Sequence, residues 1–269
     1  MQESEPFDLR FEPDELETVV DATTDFIGDQ LAAAGADRAI IGLSGGIDST
    51  TTAHLAVEAL GTAALYGLVM PGRVSREENM TDAERVAQEL GIEYEVVEIE
   101  PLLEQFVSAL PATEGDQLAV GNARARVRMV LLYLLANHED GLVVGTGNRS
   151  EALVGYFTKY GDGAVDCNPL GRLYKSQVRQ VARYLDVPED LVTKTPTAGL
   201  WAGQTDEDEL GLGYETLDPI LALAVDGGLS PGAAARVLEV DSSTVERVRS
   251  MVERSQHKRR MPPVPDPFF

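Results

Sequence analysis

The sequence is poor in four things, and each shortage excludes something. One cysteine, Cys167, stands in 269 residues, so no intrachain disulfide framework exists and a disulfide-stapled secreted scaffold is excluded. The three histidines, His54, His138 and His257, are far apart and no cysteine cluster joins them, which removes zinc and iron–sulfur sites. No apolar run approaches the roughly 20 residues of a membrane span. The opening stretch MQESEPFDLRFEPDELE is too acidic and polar for a secretory signal, and the compartment expected is the cytoplasm. The fourth shortage is lysine: Lys159, Lys175, Lys194 and Lys258 are the only four.

Against 22 Lys+Arg stand 45 Asp+Glu, for a net charge of -23 and a pI near 4.4. A surface of that sign repels a phosphate backbone, so nucleic-acid binding is not expected. Adaptation to high salt explains the excess, because salt screens repulsion among carboxylates; an ordinary solvated acidic surface is the rival reading. In either case the few remaining lysines mark positions where an ammonium is needed. With 43% hydrophobic residues and a mean hydropathy of -0.11, the chain reads as one globular domain over 1–269 with a sizeable core.

Apolar patterning predicts strands over 38–43, 63–70, 93–99 and 141–146. Helices are predicted from Pro13 to Gly35 and over 48–60, 77–90, 100–109 and 119–138, then over 175–185, 214–225, 231–238 and 241–255. Strands that alternate with helices give an α/β fold: a doubly wound parallel sheet with helices on both faces and a helical C-terminal part. Ligands in such sheets collect at the carboxyl ends of the strands, which brings together loops 44–48, 70–79 and 146–151. The acidic stretch TDEDELGLG, 205–213, reads as a mobile lid or a surface loop. No internal repeat is present.

The stretch GLSGGIDS, from Gly42 to Ser49, sits between the first strand and its helix. A glycine pair brings backbone N–H groups close to a ligand, and the helix N-terminus attracts anions. Ser44 and Ser49 add hydroxyl donors. Asp48 would repel phosphate unless a divalent cation lies between them, and Mg²⁺ suits such oxygen ligands. The loop therefore reads as a magnesium-pyrophosphate cradle; the rival is a tight turn with Asp48 as a helix cap. Neither GxxxxGK[ST] nor GxGxxG is present, so it is not a Walker or dinucleotide-binding loop.

This loop resembles that of the ATP pyrophosphatases, which cleave ATP between the α and β phosphates. GNARARVRM (121–129), GTGNRSEALVGYFTKYGDGAVDCNPL (145–170), LYKSQVR (173–179), KTPTAGL (194–200), DEDELGLGY (206–214) and HKRRMPP (257–263) follow in order. Together they resemble the NAD synthetase family over nearly the whole chain. A glutaminase domain has no room in 269 residues, and Cys167 is the only thiol, so the chain is similar to the ammonia-dependent form.

The resemblance implies the site. Gly42, Leu43, Ser44, Gly45, Gly46, Ile47, Asp48 and Ser49 would cradle ATP, with Thr146, Lys175 and Thr197 as further ATP contacts. Asp48 and Glu151 would hold Mg²⁺. Arg126, Lys159, Asp166, His257 and Lys258 would bind deamido-NAD, and a homodimer is implied. Lys175 would stabilise the leaving pyrophosphate, and Asp162 is the candidate for orienting ammonia or taking its proton. Loops 70–80 and 199–213 would close over the intermediate.

Arg124 and Arg128 read as helix-surface charges, and Lys194, without an assigned role, as structural or surface. Phe157 and Tyr160 line a base pocket or pack in the core. In the 119–138 helix, Leu131, Leu132, Leu134 and Leu135 are interface or core. Two rivals stand: another amidating ATP pyrophosphatase, and a catalytically silent nucleotide-binding subunit.

Overall fold

Proline at the first helical position and Asp14 and Glu15 in the first turn start α1, Pro13–Ala34; Gly35, in the left-handed region, ends it. Then β1 (Arg38–Leu43), α2 (Ile47–Leu60), β2 (Leu65–Val69), α3 (Glu77–Leu90) and β3 (Glu93–Val96) alternate. They are followed by α4 (Glu100–Ala109), α5 (Gln117–His138) and β4 (Gly141–Val144). A computed structural model describes residues 7–73, 77–201 and 203–265.

The four strands form one sheet in the order β3-β2-β1-β4, with every pairing parallel. Residues two apart share a face. Ala39, Ile41, Leu43, Leu65, Val69, Leu142 and Val144 face one core with Ile27, Leu31, Leu55, Ala83 and Val86 of α1, α2 and α3. Ile40, Tyr66, Leu68 and Val143 face the other, against Val127, Met129, Leu132 and Ala136 of α5. Side chains such as Ile27, Ile40, Ile41, Leu55 and Leu65 are almost fully buried, each stabilising the fold by about 2 kcal/mol. The sheet is doubly wound as expected. β1 lies between β2 and β4, so the chain leaves it toward β2 and returns on its other side at β4, which opens a crevice above their carboxyl ends.

After β4 the chain is helical: α6 (Arg149–Val154), α7 (Lys175–Tyr184), α8 (Glu189–Val192), α9 (Asp206–Leu210), α10 (Tyr214–Ile220), α11 (Pro231–Leu238) and α12 (Ser242–Ser255). Pro219 sits inside α10 and wide π-type turns follow over Leu221–Asp226, as expected where a missing N–H disrupts the ladder. Val154, Leu210, Tyr214, Leu217, Ile220, Val245 and Val248 form this part's own core.

The first strand has the predicted bounds, and the other three are shorter. A 3₁₀ turn, Thr62–Ala64, delays the second, and the third and fourth stop at Val96 and Val144. Helices α6, α8 and α9 escaped the periodicity reading because each is only four to six residues long. The acidic stretch 205–213 is no open surface loop: the Thr205 hydroxyl accepts the Asp208 N–H at 3.1 Å, Gly211 closes α9, and Asp206 and Leu210 are buried. Of the loops expected to close, residues 74–76 and 202 lie outside the described residues. Among those described, no helix is long and apolar enough to cross a membrane.

Candidate active site

The turn after β1 is shaped by close approach. Gly45 has φ +71°, and a Cβ there would come within 2.2 Å of the Asn79 carbonyl oxygen on α3. Only glycine permits both. Ser49 Oγ donates to the Gly46 carbonyl at 3.0 Å and accepts the Ser44 N–H at 3.2 Å, while the two serine hydroxyls lie 3.0 Å apart. Gly46, the N-cap of α2, offers no side chain to the first-turn amides. Those donors and the helix dipole face the crevice, an arrangement suited to an anion. The buried threonines behind the loop satisfy themselves: Thr50, Thr51 and Thr52 donate to the carbonyls of Gly46, Ile47 and Asp48 at 3.0, 2.8 and 2.9 Å.

Two elements, α6 and α7, converge on Asp48 of α2. Asn148, the N-cap of α6, donates its Nδ2 to Asp48 Oδ1 at 3.0 Å. Lys175, the first residue of α7, is 2% exposed and bonds the other Asp48 oxygen. Glu151 Oε1 lies 3.6 Å from the same ammonium. Asn148 and Glu151 form a reciprocal capping box, with bonds of 3.0 and 3.1 Å. Behind them Ser150 Oγ donates to Asp218 at 2.6 Å and accepts the Lys175 N–H at 3.0 Å, and Asp218 accepts the Ser176 N–H at 2.8 Å. A carboxylate at the N-terminus of α7 thus fixes where Lys175 starts.

One ammonium faces two carboxylates, and the charges do not balance. Burial, then the neighbouring Asp48, push Glu151 up to about 8 against the pull of Lys175. Burial works to lower Lys175, but Asp48 and Glu151 outweigh it and hold the ammonium protonated. Asp206 adds a third acid. Burial raises it against the pull of Lys175, Tyr214 OH donates to its Oδ2 at 2.8 Å, and its Oδ1 is buried without a partner. This all-oxygen set fits a hard divalent cation better than a soft one. Among the described residues no three His, Cys, Asp or Glu are arranged to hold a metal by themselves. Asp48 and Glu151 would hold Mg²⁺ together with phosphate oxygens.

A second cluster lies where α6 ends. Arg126 donates to the Lys159 carbonyl at 3.1 Å, Lys159 Nζ donates to the His257 carbonyl at 2.7 Å, and Lys258 Nζ donates to the carbonyls of Gly155 and Phe157 at 2.7 and 2.8 Å. Four of the five residues expected at the dinucleotide are therefore joined through backbone. Phe157 stacks its ring 5.4 Å from the Lys258 ammonium, and Tyr160 stands exposed. Asp162 accepts the Thr158 N–H at 3.0 Å. It is open to solvent on one side yet ringed by protein; that desolvation raises its pKa against the pull of the Thr158 N–H, Lys258 and Arg128.

Two expected residues are engaged elsewhere. Asp166 takes the Tyr133 hydroxyl and the Val143 N–H, both at 2.8 Å, and so pins α5 to β4. Thr197 donates to the Gln204 carbonyl at 2.8 Å and accepts the Gly199 N–H at 3.1 Å, closing a turn in its own segment. Thr146 follows β4, half-buried. Two readings need correction. Arg124 is buried, 3.0 Å from the Leu200 carbonyl and 3.4 Å from Glu100, and Arg128 donates Nε to the Met70 carbonyl at 3.0 Å. Neither is a surface charge: both turn inward to hold loop carbonyls. Burial pushes the Cys167 thiol up to about 11, far from a poised nucleophile.

Asn148, Asp206 and Asp218 escaped the sequence reading. The N-x-x-E spacing of Asn148 and Glu151 is a capping-box signal that could have found the first. No local pattern marks Asp218, and its acidic neighbours hide Asp206.

Residues 19–262 match the NAD synthase family. The chain is 62% identical over 260 residues to the NH(3)-dependent NAD(+) synthetase of Halobacterium salinarum, covering 97% of each chain. Among solved structures it is similar to an NMN synthetase from Francisella tularensis, at TM-score 0.84 and 36% identity, covering 96% of this chain and 100% of that one. It is also similar to the NH3-dependent NAD synthetase of Campylobacter jejuni, solved with nitrate, at TM-score 0.79 and 30% identity, covering 93% and 99%. With an uncapped helix N-terminus facing a buried lysine and two carboxylates, and with these likenesses running along nearly its whole length, the chain belongs to the NAD synthase family.

Proposed function

We propose that this protein is an ammonia-dependent ligase that amidates deamido-NAD to NAD while ATP becomes AMP and pyrophosphate. The observation that carries the reading is Lys175, buried between Asp48 and Glu151 beside the open N-terminus of α2. The nicotinate carboxylate of deamido-NAD attacks the α-phosphorus of ATP, and the bond to the β-phosphate breaks. Ammonia then attacks the acyl carbon, AMP departs with the carboxylate oxygen, and a proton is lost. Loop 44–49 receives the phosphates on its amides and serine hydroxyls, and Lys175 neutralises the pyrophosphate as it forms. Asp48 and Glu151 would hold Mg²⁺, which would offset the phosphate charge.

Arg126, Lys159, His257 and Lys258 face the dinucleotide, and Asp162 orients ammonia or takes its proton. The engagements of Thr197 and Asp166 within the fold support positioning roles for them. Leu118, Val130 and Leu134 of α5 are exposed, as are Phe106 on α4 and Leu110 just past it. An apolar stripe on so acidic a chain supports a homodimer through α4 and α5. Leu132, by contrast, belongs to the monomer core. Arg126 lies one turn before Val130, so the dinucleotide would border the interface. A cytoplasmic enzyme working in high salt fits the charge.

The likeness to an NMN synthetase favours one second reading, in which the acid is a mononucleotide. Incubation with ATP, Mg²⁺, ammonium and either acid, across a potassium chloride series, separates the two. NAD, AMP and pyrophosphate in equal amounts are expected with deamido-NAD. AMP that forms regardless of deamido-NAD, or turnover of the mononucleotide alone, defeats the first reading; ATP binding without turnover at any salt points to a silent subunit.

A further inference from the structure

Lys194 is one of only four lysines, and the chemistry above leaves it unused. Its ammonium donates to the Gly45 carbonyl at 3.1 Å and to Asp82 Oδ2 at 2.5 Å. Asp82 is itself buried on α3 and lies 3.4 Å from Arg85, which reaches Asp190 at 2.7 Å. The lysine thus joins three segments that wall the crevice: the phosphate loop, α3, and the stretch that leads through Pro196 and Thr197 to Asp206.

The bond to Gly45 has a directional consequence. In a trans peptide the C=O and the following N–H point in opposite directions. Glycine at φ +71° leaves that peptide free to turn. With the Gly45 carbonyl held by Lys194, the Gly46 N–H must point the other way, and there it meets Ser44 Oγ at 3.3 Å. Ser44 is exposed, so this N–H is presented on the open side of the loop. Asp82 balances the lysine charge, so the carbonyl is held without leaving a lone cation beside the site. The Asn79 carbonyl against Gly45 closes the remaining side.

We infer that Lys194 is a positioning residue for the phosphate loop, holding the Gly45–Gly46 peptide with its N–H toward ATP. The inference rests on the reading of loop 44–49 as the ATP phosphate site. Its test uses the full-length enzyme in high potassium chloride, comparing Lys194→Met and Asp82→Asn with the parent. Lys194→Met should raise KM for ATP about tenfold or more, the range of one lost charge-assisted bond. The inhibition constant of pyrophosphate should rise in parallel. KM for deamido-NAD and inhibition by AMP should stay within about twofold, which a general loss of structure would not spare. Asp82→Asn, which keeps the lysine but loosens it, should shift the same two constants in the same direction by less.

If Lys194→Met fails to fold, Asp82→Asn alone decides. Unchanged KM for ATP and unchanged pyrophosphate inhibition in a folded variant overturn the inference while the parent still makes NAD. A parent that makes neither AMP nor pyrophosphate overturns the inference together with the reading beneath it.

Discussion

Replacing Asn148 by alanine isolates the link between the Asp48 and Glu151 carboxylates and the fold. The side chain is 0% exposed, so water cannot substitute for it. Its Oδ1 caps α6 through the Glu151 N–H at 3.0 Å, and its Nδ2 reaches Asp48 at 3.0 Å. A lost N-cap costs about 1 kcal/mol, and a lost hydrogen bond to a charged, buried acceptor costs about 2 kcal/mol. Asn148→Ala should therefore destabilise the protein by about 3 kcal/mol, a fall of very roughly 5–10 °C in Tm for a chain of this length. Asn148→Asp keeps a capping oxygen but sets a further carboxylate against Asp48 and Glu151. It should recover about 1 kcal/mol at low pH and lose pyrophosphate release at neutral pH. Denaturant unfolding in molar potassium chloride, paired with a pyrophosphate-release assay, measures both. An Asn148→Ala protein within about 0.5 kcal/mol of the parent, the range of ordinary surface changes, would refute the reasoning, as would an Asn148→Asp enzyme of full activity.

Glu151, held at about 8 in the fold against an ordinary value near 4.5, keeps a proton that the unfolded chain releases. In chelator its contribution to stability is full below about pH 4.5 and is lost as pH rises through about 8; an unchanged pH slope of unfolding in Glu151→Gln would contradict this. Lys175→Met leaves Asp48 and Glu151 buried without their cation and should cost about 3–5 kcal/mol, with pyrophosphate release abolished; folding equal to the parent would tell against the buried pair. Leu134, 66% exposed on α5, should tolerate glutamate in the monomer fold, and Leu134→Glu should halve the particle mass in analytical ultracentrifugation at high salt. A parent that already sediments as a monomer would remove the dimer.

What could be read from the sequence was local. The β-branched run ending at Leu43 and the glycines at 45 and 46 placed the strand, turn and helix, because those residues constrain their own backbone. Lysine scarcity drew the eye to Lys159, Lys175 and Lys258, and all three make short bonds inside the protein. Lys194, the fourth, opens the KTPTAGL stretch, and only the lack of a chemical role assigned to it there separates it from the other three. Asp218 was out of reach: its partner Ser150 is 68 residues away, and a buried aspartate in a short helix has no signature of its own. Asp206 was lost among four consecutive acids, of which burial selects one. Arg124 and Arg128 were misread because helix spacing alone does not say whether a long side chain turns out to water or in toward a loop carbonyl.

The central claim is that the carboxylate of the substrate acid attacks the α-phosphorus of ATP above loop 44–49. Deamido-NAD carrying ¹⁸O in its nicotinate carboxylate tests it directly, by mass spectrometry of the nucleotides after turnover with ATP, Mg²⁺ and ammonium in high potassium chloride. One ¹⁸O atom in AMP for each NAD formed is the predicted result; label found in water or orthophosphate, with ADP in place of AMP, would contradict it.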